Sequence, residues 1–149
     1  MIEFRITKQN ENKYIKNGVL IIDEAETITK LYCSNMNISA IDLSNCVNLE
    51  HLDCSYNEIS SIDLSNFINL RYLNCSNNNI SSIDLSNCVN LVYLNCCNNN
   101  ISSMDLSDCV DLEYFGCNNN NISSLNLSNC INLQVLDCSN NNISKLIQH

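Results

Sequence analysis

Thiols, imidazoles and carboxylates are the side chains that could carry chemistry in this sequence of 149 residues, and the supply is lopsided: eleven Cys against two His. Eleven thiols could hold zinc, pair as disulfides or supply a nucleophile. Zinc sites need closely spaced pairs such as Cys-x₂-Cys joined to a second pair, whereas the recurrent intervals here are 13, 8 and 21. A nucleophile needs a base within reach, and the imidazoles are His51 and the terminal His149. Cys54 lies near His51 in sequence, but in an extended segment the two fall on opposite faces, which rules out a nucleophile–base pair. A glycine-rich phosphate loop and a metal-protease signature are both lacking. The expectation is a protein without catalytic residues, metal or cofactor.

Charge narrows the partners. Seven basic against sixteen acidic side chains leave a formal charge of −9. That argues against nucleic acid, whose binding rests on neutralised phosphates, and against anionic membranes. No run approaches the ~18 apolar residues of a membrane span. The start, MIEFRITKQNENKYIK, carries Glu3 and Arg5 and no apolar core of a secretory leader. A cytoplasmic location is therefore expected (host cytoplasm for a viral source), with the thiols reduced. The Asn-x-Ser triplets, such as Asn79-Ile80-Ser81, read as turn grammar and not as glycan addresses.

What positions these residues is a repeat. Ile28, Leu49, Leu70, Leu91, Leu112 and Leu133 each begin a copy 21 residues after the last. Numbering positions from that residue, position 4 is Leu, with Phe115 once, and position 6 is Cys33, Cys54, Cys75, Cys96, Cys117 and Cys138. Position 9 is Asn57, Asn78, Asn99, Asn120 and Asn141, with Met36 in the first copy. Position 11 is Ile, and position 16 is Leu until the sixth copy runs out. Position 19 is Cys46, Phe67, Cys88, Cys109 and Cys130. Phe67 is telling, because a ring replaces a packing thiol but never a metal ligand. The pattern predicts an extended segment over positions 3 to 5, with positions 4 and 6 inward and 3 and 5 outward. Asn at position 9 bridges the turn that follows. Stacked copies place equivalent residues ~4.8 Å apart, too far for disulfides within a column, so the thiols read as small buried hydrophobes. Cys97, at position 7, is expected at the rim and most reactive.

The pattern resembles the leucine-rich repeat, L-x-x-L-x-L-x-x-N-x-L, with Cys in place of the sixth-position Leu. It is similar to the 21-residue cysteine-ladder repeats of the internalin J type in bacteria and to repeats of giant DNA viruses. The resemblance implies a leucine-rich-repeat solenoid, nominally α/β but β-rich, with a parallel sheet on the concave face and extended or 3₁₀ turns on the convex face. Residues 28–149 hold six copies, the last incomplete. Residues 1–27 depart from the repeat. Ile2, Phe4 and Ile6 alternate as a strand would, and Asn17-Gly18 between Tyr14-Ile15-Lys16 and Val19-Leu20-Ile21-Ile22 signals a hairpin. This segment is expected to cap the first copy.

Candidate contacts follow from the outward positions. Position 3 reads Lys30, His51, Tyr72, Tyr93, Tyr114 and Val135, an aromatic stripe flanked by Glu50, Asp53, Glu113 and Asp137, with Arg71 the main positive charge. The leading expectation is a protein-interaction module that presents this stripe to an unknown protein of apolar and basic character. The resemblance implies a host–microbe or host–virus setting. The alternative is a structural protein that pairs with a second copy through Leu133, Leu136, Cys138, Ile143 and Leu146 of the last repeat. Strand propensity alone would also explain the tyrosines. At position 15, Asp42, Asp63, Asp84 and Asp105 either repel, raising their pKa or recruiting cations, or bond nearby backbone and Ser hydroxyls. The second outcome is the one expected.

Overall fold

The computed structural model describes residues 2–22 and 27–148; His149 lies outside that range. The chain opens with β1 (Ile2–Arg5), a short helix α1 (Glu11–Tyr14), and the strands β2 (Ile15–Lys16) and β3 (Val19–Ile21). The repeats follow with β4 (Ile28–Tyr32), β5 (Ala40–Asp42), β6 (His51–Asp53), β7 (Tyr72–Asn74), β8 (Tyr93–Asn95) and β9 (Tyr114–Gly116). β10 (Ser124–Asn126), β11 (Val135–Asp137) and β12 (Lys145–Ile147) complete the set. One seven-stranded sheet runs β1-β4-β6-β7-β8-β9-β11, with every pairing parallel. The molecule is a solenoid of about six turns, in the register that the 21-residue spacing dictates.

A strand with period two turns positions 4 and 6 inward. Leu31, Leu52, Leu73, Leu94 and Phe115 are fully buried, and so are Cys33, Cys54, Cys75, Cys96 and Cys117. Desolvation lifts the thiols far above their usual value, to about 12 at Cys75 and Cys117. They behave as hydrophobes. The second column does different work. Each residue at position 19 joins two tight turns: Cys88 N–H donates to Leu85 O at 2.8 Å and Cys88 O accepts from Leu91 N–H at 3.1 Å. The same pair recurs around Cys46, Phe67, Cys109 and Cys130, so the convex side is extended chain and turns.

The amino-terminal segment continues both sides of the coil. β1 adds a parallel strand to β4 on the concave sheet, and β3 adds one to β5 on the convex side. β2 and β3 form an antiparallel hairpin over Asn17 and Gly18, both at positive φ (51° and 78°), as a tight hairpin turn requires. Leu20 is fully buried beneath it, with Ile6 and Ile22 nearly so. The sixth turn differs. Leu133, Leu136, Cys138 and Ile143 are half-buried where their counterparts Leu112, Phe115, Cys117 and Ile122 are fully buried. Leu146 and Ile147 in β12 are exposed.

Candidate partner-binding face

Parallel pairing places equivalent residues side by side, so β6 to β9 align His51, Tyr72, Tyr93 and Tyr114 in one row. The flat rings stack. His51–Tyr72, Tyr72–Tyr93 and Tyr93–Tyr114 have centroids 3.9, 4.3 and 4.4 Å apart and interplanar angles of 3°, 6° and 7°. The ladder is longer than its sequence row. Tyr32, from position 5 of the first copy, meets His51 at 4.8 Å and 42°, and the Arg5 guanidinium lies 3.9 Å from the Tyr32 centroid. The stripe thus offers edges and hydroxyls, because most ring faces are spent on one another.

Half-burial in the ladder biases every titratable member. Burial first, then the Lys30 charge, lowers the His51 pKa, so the ring is neutral at neutral pH. Burial raises the phenols of Tyr72, Tyr93 and Tyr114, with Asp53, Tyr72 and Tyr93 respectively the next cause. All three carry uncharged hydroxyls at neutral pH, able to donate and accept.

The flanking rows are also placed. At position 5, Asp53 Oδ1 accepts from Ser55 N–H and Oγ–H (3.1 and 2.7 Å), and Asp137 Oδ1 does the same with Ser139 (3.1 and 2.7 Å). Asn74 and Asn95 accept the equivalent backbone bond in their own copies. Gly116 leaves a gap that neighbours fill: a Cβ there would lie 3.1 Å from Cys97 Sγ and 3.3 Å from Tyr114 Cε1 and Oη. At position 2, Glu50 and Arg71 border a shallow hollow with Asn69 and Asn90, and Glu113 is exposed further along.

One expectation changes and another holds. Cys97 is not the accessible thiol. It is 9% exposed, packed beside Gly116 and Tyr114, and desolvation raises its pKa. Cys138, at the outer side of the last turn, is the one half-buried thiol among the described residues. The convex acids bond to backbone and Ser as expected, and these bonds outweigh the repulsion of Asp84 by Asp63 and of Asp105 by Asp84. The N–H groups of Ser44, Ser65, Ser86 and Ser107 donate to Asp42, Asp63, Asp84 and Asp105 at 2.9–3.0 Å. Bonds from these serines hold all four carboxyls below their usual value. Among the described residues no three His, Cys, Asp or Glu side chains are grouped to hold a metal ion. His51 sits in the ladder while the Cys54 thiol lies in the core, so the two stay apart.

Beyond Tyr32 and Arg5, the sequence reading missed Tyr56. It occupies position 8, where the other copies have Asn, is 62% exposed, and adopts φ 54°. The break in an otherwise uniform Asn column was the signal. Arg5 was legible as the outward residue between Phe4 and Ile6. Tyr32 was not, because it contacts a different position of the next copy.

A parallel coil with Leu, Cys and Asn columns defines a class. The sequence matches the family described as Leucine Rich repeats (2 copies) over residues 26–66 and 68–108, and Leucine Rich Repeat over residues 132–149. The chain belongs to the leucine-rich repeat family. Similar solved structures include an internalin (inlF) from Listeria monocytogenes, with 31% identity and a TM-score of 0.76 over 80% of this chain and 37% of that one. The Leptospira interrogans LRR protein LIC12759 gives 18% identity and a TM-score of 0.73 over 83% and 38%. The functional domain of InlJ from Listeria monocytogenes, which includes a cysteine ladder, gives 28% identity and a TM-score of 0.49 over 80% and 36%. The chain spans less than two fifths of each of these. No curated protein matches it.

Proposed function

We propose that the concave sheet is the recognition surface of a protein-interaction module. One observation carries this: the row His51, Tyr72, Tyr93 and Tyr114 is stacked into a rigid strip whose edges and hydroxyls face outward. Rigid aromatic side chains give large contact area with little entropy left to lose on binding. Asp53, Glu113 and Asp137 beside the strip favour a partner with basic and apolar groups, as does the net charge of −9. A setting between a host and a microbe or virus fits the likeness to internalin-type repeats. A reducing compartment such as the cytoplasm fits eleven free thiols.

The test is a pull-down from lysate of the native source with wild type and Tyr93→Ala. Removing the middle ring breaks two stacks, and captured proteins are expected to disappear while the circular dichroism spectrum is retained. Unchanged capture would refute the concave reading. A second reading, self-association through the last turn, is favoured by the half-buried Leu133, Leu136, Cys138 and Ile143 and the exposed Leu146. Light scattering separates the two: a dimer that survives Tyr93→Ala supports the second, and a monomer at high concentration excludes it.

A further inference from the structure

The aromatic ladder is closed at one end by a cation. Arg5 lies over Tyr32 at 3.9 Å while its Nη2 and Nε donate to Glu3 Oε1 at 2.6 and 2.8 Å. A ring face and a carboxylate together hold the guanidinium there. Ring quadrupoles attract cations over their faces, and a guanidinium can stack flat on a ring while forking onto an acid.

The other end has the same two parts and no cation. Tyr114 gives one face to Tyr93, and among the described residues no ring or cation stacks on the other. Opposite Tyr114 the next strand supplies Val135, short and 49% exposed. The Tyr114 ring lies along its own strand at the level of Gly116, whose register partner is Asp137. Asp137 therefore stands one strand beyond the ring, exposed, and its bonds from Ser139 both fall on Oδ1. Glu113 adds a second exposed carboxylate on the preceding residue. The Asp137 carboxylate, close enough to act on the Tyr114 hydroxyl, beside an unstacked ring face complements a cation in charge.

We propose that the Tyr114–Asp137 end of the ladder receives an arginine side chain from the partner protein, stacked on Tyr114 and paired with Asp137 as Arg5 is stacked on Tyr32 and paired with Glu3. This rests on the concave face being the recognition surface, and it specifies the chemistry recognised there. Arginine fits better than lysine because the site pairs a flat face with a carboxylate at its edge. A desolvated contact of this kind strengthens binding roughly 3- to 30-fold.

The experiment is an NMR titration of the full chain with acetyl-Gly-Arg-Gly-amide and its citrulline counterpart, which has nearly the same shape and no charge. The arginine peptide is expected to shift the Tyr114 ring resonances and bind several-fold more tightly than the citrulline peptide. Asp137→Asn is expected to erase that difference. It is a clean variant, since Asn74 and Asn95 already make the equivalent turn bond at this position. Equal affinity for the two peptides, no perturbation at Tyr114, or full arginine preference in Asp137→Asn would each overturn the proposal. The broader reading fails separately. If Tyr93→Ala abolishes capture of the partner while Asp137→Asn leaves it intact, the concave face stands and the arginine site falls. If neither variant affects capture, the concave reading falls and the partner's arginine at this site falls with it.

Discussion

Position 8 of every copy is left-handed: φ is 57° at Asn35, 54° at Tyr56, 55° at Asn77, 54° at Asn98, 56° at Asn119 and 53° at Asn140. Asn tolerates this region because its short amide can bond locally, whereas an ordinary L residue pays roughly 1–2 kcal/mol. Tyr56 carries that strain with most of its ring in solvent. Tyr56→Asn is expected to stabilise the protein by about 1 kcal/mol, read as a higher urea midpoint at unchanged slope. An unchanged or lower midpoint would show that contacts of the ring offset the strain. If Tyr56 also touches the partner, the same variant will be more stable and bind more weakly.

Between elements, the position-9 asparagines are the fasteners. Asn99 Nδ2 donates to Cys75 O in the previous turn and Cys96 O in its own, at 3.0 and 3.1 Å, while its Oδ1 accepts from Ile80 N–H at 2.9 Å. Asn78 and Asn120 repeat the arrangement one turn to either side. Asn57 extends it to the first copy, where Met36 cannot, by accepting from Met36 and Ile38 N–H at 3.0 Å each. One amide thus satisfies backbone groups of two turns that no water reaches. Asn99→Ala should leave them unpaired and destabilise by about 2–4 kcal/mol. Asn141→Ala, in the half-buried last turn, should have a smaller effect. Denaturant unfolding of both variants checks the order, and equal losses would mean that the last turn is no wetter than the middle.

Across the whole molecule the columns couple stability to pH. Cys33, Cys54, Cys75 and Cys96 are fully buried, and burial raises each thiol far above its usual value. An unfolded thiol releases its proton near pH 8.5 while the folded one keeps it. The folded state then holds more protons, and stability falls as pH rises above about 8.5, by roughly 1 kcal/mol per pH unit for each such thiol. Since a domain of this size has about 5–15 kcal/mol in total, reversible unfolding under reducing conditions is expected near pH 10. A midpoint flat from pH 7 to 10 would contradict the buried columns. On the acid side, His51 has a lowered pKa, so its share of stability is lost as pH falls below about 6.5. The depressed Asp42, Asp63, Asp84 and Asp105 lose theirs only below about 3.9.

The coil, its inward thiols, the turn-bridging asparagines and the Asn17-Gly18 hairpin were all legible in the sequence. Each depends on a residue type at a fixed place in a 21-residue period, and parallel stacking reproduces that place in every turn. The tertiary structure decided what depends on how unlike copies meet. Tyr32 reaches across to His51, Arg5 closes the ladder, and Tyr114 with Cys97 fills the gap that Gly116 leaves. Cys97 is therefore covered and Cys138 only half so. These contacts run between different positions of neighbouring turns. A period fixes which face a side chain takes, but the lean of a ring depends on the size of the residues around it, and those are set only when the turns are packed together.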